Sequence, residues 1–66
     1  MPRQPPVTIH PPHNGSRRVT IPGEPAGIAR HLDDVLEFLR RAGLDDPDPH
    51  DPGLIDWRGG GPRDWT

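Results

Sequence analysis

Sixty-six residues with a net charge of −2, no cysteine and 29 % apolar content allow one small domain at most. They exclude a disulfide-stapled scaffold, thiolate chemistry and a large buried core. Eleven prolines and eight glycines make up more than a quarter of the chain, a balance typical of chains ordered only in part.

The charge is unevenly placed. Residues 1–23 carry three Arg and no acid, whereas residues 45–56 carry five Asp and neither Arg nor Lys. All eight basic side chains are Arg. The N-terminal stretch MPRQPPVTIHPPH has no apolar run of signal-peptide length, and nothing approaches the roughly 20 apolar residues of a membrane span. The expectation is a soluble cytoplasmic protein.

Residues 1–6 offer nothing to bury and read as a disordered arm. The triplet VTI then occurs twice, at residues 7–9 and 19–21. Each copy alternates apolar and polar, the pattern of a half-buried strand. Antiparallel pairing of Val7 with Ile21 and Ile9 with Val19 puts all four apolar side chains on one face. That register predicts a three-residue loop, His13-Asn14-Gly15, closed by a left-handed glycine. A two-residue Asn14-Gly15 turn would slip the register by one and split the apolar face. Pro11 and Pro12 cannot donate ladder hydrogen bonds, so the first strand is expected at a sheet edge.

Pro22-Gly23 fits the centre of a type II turn. Residues 25–29 suit either a short third strand or the start of the helix. The helix itself is marked by Leu32, Val35, Leu36 and Leu39, spaced three and four apart and flanked by Phe38. A start near His31 puts Asp33 and Asp34 in the first turn and Arg40 and Arg41 in the last, both favoured by the helix dipole. Glu37 and Arg41 form a pair four apart. Gly43 stands at the left-handed C-terminal position, with Leu44 folding back behind it.

Residues 45–53, DDPDPHDPG, contain three Asp-Pro steps and read as an extended, solvated linker. Residues 54–66 form a tail holding both tryptophans, Trp57 and Trp65. The apolar side chains of the hairpin and helix make a thin core, so further burial has to come from the tail, a second copy or a partner.

Few residues suggest chemistry. His10 and His13 flank a rigid Pro-Pro unit, and His31 and His50 stand apart from them. No cysteine completes a metal-ligand set. Ser16 lies beside the hairpin turn without a nucleophile elbow. The glycine triplet at residues 59–61 lacks the Lys-Ser/Thr ending of a phosphate loop and reads as a hinge. No catalytic residue, metal site or cofactor is expected. Arg3, Arg17 and Arg18 could meet a nucleic acid through the Arg-bearing hairpin. Trp57, Arg58, Arg63 and Trp65 could form a docking peptide, because Trp and Arg are enriched at interface hot spots. On this reading Trp57 is at least half buried and Trp65 largely exposed.

The stretch RRVTIPGEPAGIARHLDDVLEFLRRAGL, followed by WRGGGPRDW, resembles small proteins of high-GC actinobacteria for which no activity is established. The resemblance covers about residues 17–65. It implies a compact unit with a meaningful tail and carries over no functional residue.

The expectation is therefore an α+β protein: a β-hairpin, with room for a third short strand, packed on one amphipathic helix. A disordered arm (1–6), the ββ(β)α unit (7–44), a Pro/Asp-rich linker (45–53) and a Trp-containing tail (54–66) follow one another. The expected role is non-enzymatic, in protein binding or regulation, with an unidentified protein or a second copy as partner. Nucleic-acid association through the hairpin is the alternative.

Overall fold

The computed structural model describes residues 5–23 and 27–65. Most of the expected N-terminal arm, residues 1–4, lies outside the described residues, as do residues 24–26 and 66. The fold is α+β: one helix, α1 (Leu32–Arg41), and a four-stranded mixed sheet. The strands are β1 (Val7–Ile9), β2 (Arg17–Thr20), β3 (Ile28–Ala29) and β4 (Ile55–Trp57), in the order β3-β2-β1-β4.

The two VTI triplets pair as their alternation dictates. Thr8 stands opposite Thr20 and Ile9 opposite Val19, with the strands antiparallel. Val7, Ile9 and Val19 are buried on one face. The turn differs from the expected three-residue loop. His13 and Ser16 pair across a two-residue turn in which Asn14 and Gly15 take φ of 54° and 80°, positive at both positions as a type I′ turn requires. The two registers are reconciled by a bulge. The His10 N–H donates to the Arg18 carbonyl, and the next bridge is His13 with Ser16. Pro11 and Pro12 thus stand opposite Arg17 alone. A bulge leaves an unpaired residue, and proline, lacking an N–H, suits that place.

β1 is not an edge strand. The two prolines lie beyond it, at the bulge, so its second edge is free over residues 7–9. β4 pairs with that edge in parallel, matching Val7 with Ile55, Thr8 with Asp56 and Ile9 with Trp57. Residues 54–66 are therefore not an appended tail. Their first part completes the sheet, and residues 45–53 connect α1 to it. Parallel neighbours need a long crossover, here supplied by β2, β3, α1 and the Asp-rich segment.

Residues 28–29 are strand, with Arg17 opposite Ala29 and Arg18 opposite Ile28. Gly27 makes room for the helix: a Cβ there would stand 3.2 Å from Phe38 Cζ. α1 begins after His31, whose extended backbone (φ −158°, ψ 172°) marks the cap. The Asp34 carboxylate reaches back to the Arg30 N–H at 3.0 Å. At the other end the Leu44 N–H donates to the Leu39 carbonyl and the Gly43 N–H to the Arg40 carbonyl, the double closure of a Schellman motif. Val35 and Leu39 are fully buried against the sheet's apolar side chains, with Leu32, Leu36, Phe38 and Leu44 packed around them. One sheet face is thus covered. The other carries Thr8, Arg18, Thr20 and Ile28.

Candidate functional site

Arg17 and Arg18 are adjacent, so strand alternation sends them to opposite faces. Arg17 shares the face of Val19 and is 1 % exposed. Its guanidinium has five N–H donors, and each meets a backbone carbonyl. Nε donates to His10, at the bulge, over 2.8 Å. Nη1 donates to Gly61 and Asp64 at 2.9 and 2.8 Å. Nη2 donates to Arg58 and Gly60 at 2.7 and 3.1 Å. Four of the five acceptors therefore belong to residues 58–64, which curl round the cation.

Both tryptophans close this cage. The guanidinium carbon lies 5.1 Å from the Trp57 ring centre and 5.7 Å from that of Trp65, within cation–π range. The rings meet edge to face, 6.5 Å apart at 86°. Their own N–H groups are satisfied, Trp57 by the Pro49 carbonyl at 2.9 Å and Trp65 by that of Pro62 at 2.8 Å. Desolvation on burial lowers the Arg17 pKa, and the Asp64 charge raises it in part. Arginine keeps its proton in proteins, so the lowered pKa expresses the cost of holding a charge away from water.

The glycine triplet is a shaped strap, not a hinge. Gly59 and Gly60 take φ of 77° and 132°. A Cβ on Gly59 would stand 2.8 Å from Pro11 Cβ, and one on Gly60 would stand 2.7 Å from Asp64 Cβ. The turn is pinned by Asp64, whose carboxylate accepts from the Gly61 N–H at 2.8 Å.

The candidate partner-binding residues are thereby redistributed. Trp65 is partly buried against the core, not largely exposed as the sequence suggests, because Arg17 supplies a cation for its ring. Trp57 belongs to the same interior cluster. Arg58 and Arg63 are exposed, and Arg58 pairs with Asp56 at 2.9 Å. The four do not form one open surface. Of the nucleic-acid set, Arg3 lies outside the described residues, Arg17 is sealed in the cage, and only Arg18 faces solvent.

Arg18 opens onto a groove that reasoning from sequence did not assemble. The groove has a volume of about 330 Å³ and is lined by His10, Pro11, His13, Ser16, Arg18 and Ile28. Its floor is one cross-strand row. His10 is hydrogen-bonded to the Arg18 backbone, and Arg18 stands opposite Ile28. Ile28 is 55 % exposed, the exposed large apolar side chain among the described residues. His10 Nε2 shares a 2.8 Å hydrogen bond with Thr20 Oγ1. Asn14 Nδ2 donates to His13 Nε2 at 3.2 Å, and Ser16 Oγ donates to the His13 carbonyl at 3.1 Å. Among the described residues Arg18 has no carboxylate within ion-pair distance, and no carboxylate lines the groove. The groove thus sets one fixed positive charge and two imidazoles beside an apolar wall. The hairpin register places His10 beside Arg18, and the third strand adds Ile28 to the row.

Among the described residues no group of three His, Asp or Glu side chains could hold a metal ion. None of their helices is long and apolar enough to cross a membrane. The molecule is thus a small mixed α+β protein with one caged arginine and one open cationic groove. No known protein family, curated protein or solved structure matches the chain.

Proposed function

We propose that this is a small non-enzymatic binding protein of the cytoplasm that docks an acidic, partly apolar segment of a partner protein on the uncovered face of its sheet. The observation that carries the reading is the row His10, Arg18, Ile28. It sets a fixed cation between an imidazole and an exposed apolar side chain. A carboxylate beside a branched apolar side chain complements that row in both charge and polarity. A binding role asks of these residues only complementary charge and polarity.

A nucleic-acid role draws weaker support. Burial of Arg17 halves the local positive charge that Arg17 and Arg18 would together present to a phosphate backbone. One titration separates the readings. The 15N-labelled protein is mixed with a short capped peptide alternating Asp and Leu and, separately, with a duplex oligonucleotide at low salt. The proposal expects the peptide to shift the amides of His10, His13, Arg18 and Ile28, and Arg18→Ala to remove those shifts. Shifts produced by the oligonucleotide alone would replace it with the nucleic-acid reading.

A further inference from the structure

The chain itself carries an acidic stretch whose charge is complementary to this groove. Residues 45–51 hold Asp45, Asp46, Asp48 and Asp51, all exposed. None of these four is in an ion pair among the described residues. Asp48 and Asp51 turn their carboxylates to the backbone N–H groups of His50 and Gly53. The Asp45 and Asp46 carboxylates have no such engagement among the described residues, and Asp46 is held at a φ of +48°. The segment is preshaped. The Asp51 N–H donates to the Asp48 carbonyl, and the Pro49 carbonyl accepts from the Trp57 indole. Asp-Pro steps at 46–47, 48–49 and 51–52 stiffen it further, which lowers the entropy lost on docking.

Topology keeps this segment from its own groove. It leads into β4, one edge of the sheet, and is tied to Trp57 on the helix-covered face. The groove lies on the uncovered face, lined by Arg18 of β2, Ile28 of β3 and the hairpin residues His10, Pro11, His13 and Ser16. The two complementary features therefore point away from each other on one molecule.

Building on the binding reading above, we infer that the groove accepts the Asp45–Asp46 segment of a second copy of this chain. Arg18 meets the carboxylates, and Ile28 meets the proline rings that follow. Groove and segment are different surfaces, so the contact is heterologous, joining copies head to tail. It is small and charged, and so belongs to the weak, salt-sensitive class.

Sedimentation velocity over a concentration series tests this with three proteins. The wild type is expected to associate reversibly, and raising salt from about 50 to about 500 mM should weaken that association about tenfold or more. Arg18→Ala should abolish it. So should Asp45→Asn with Asp46→Asn, asparagine being well tolerated in left-handed backbone. Mixed one to one, the two variants should recover a species that stops at a pair, because each supplies the half the other lacks. A wild type that stays monomeric at millimolar concentration overturns the inference. So does association unaffected by either variant, or a mixture that recovers nothing. If the Asp-Leu peptide still shifts Arg18 while the wild type stays monomeric, only self-association falls and the binding reading stands.

Discussion

Arg17 and Arg18 share a peptide bond and almost nothing else. Arg17 has every donor filled by backbone carbonyls and its guanidinium carbon within cation–π distance of two indole rings. Arg18 projects from the opposite face into an open groove. The difference arises from strand alternation, which gives two identical side chains opposite environments. It shows that a positive charge in a small protein can be a structural centre in one place and a docking element one residue later. The cage also explains why a chain with three aromatic residues keeps two of them in one short C-terminal stretch. They line the interior around a cation that the sheet face cannot otherwise accept.

The comparison breaks most sharply at Arg17. Arg17→Ala orphans five carbonyls and leaves both indoles facing a void, and should cost about 3–5 kcal/mol, as loss of one side of a buried charged cluster does. Urea denaturation followed by circular dichroism should find little folded protein. Arg18→Ala, by contrast, should move stability by less than about 0.5 kcal/mol. Equal effects of the two substitutions would dissolve the contrast.

The indoles come next. Trp57→Ala removes a ring from both the cage and the interior cluster and should cost about 3 kcal/mol. Trp65→Ala loses mainly the cation–π and edge contacts, about 1–2 kcal/mol. Thermal melts of the two variants should rank in that order. Gly59→Ala meets Pro11 and an unfavourable φ together, so about 1–2 kcal/mol is expected. Its readout is faster amide exchange across residues 58–64. The smallest effect belongs to an ordinary surface pair. Glu37 and Arg41 are 3.4 Å apart on the open face of α1. Glu37→Ala should cost about 0.3 kcal/mol and vanish in high salt.

How much of this could be read beforehand varies by element. The hairpin register was legible because both VTI triplets must hide the same face. The helix was legible from its stripe, its charged ends and Gly43. β4 was not, since three residues carry no periodicity and parallel pairing across some 45 residues has no local signature. The turn was misjudged because a two-residue loop and the right register look incompatible until a bulge is allowed at the prolines. Arg17 was the missed clue. It has the same parity as Val19 and Ile21, so the alternation that built the strand also placed a guanidinium inside. Two otherwise unexplained tryptophans were the residues able to receive it. The groove was half legible: Arg18 stood out as a cation, but its neighbours His10 and Ile28 needed the register and the third strand.

The cage also dictates an order of events. Its strap carbonyls lie 41 to 47 residues along the chain from the side chain they hold. The turn at Asn14-Gly15 and the helix close over short distances and are expected to form early, whereas a loop of this size closes against greater chain entropy. Until it closes, the Arg17 guanidinium has only water for most of its donors, and the hairpin cannot bury its apolar face fully. Contacts absent from the folding transition state govern how fast a protein comes apart. The cage should therefore act as a kinetic lock: weakening it is expected to speed unfolding far more than it slows refolding.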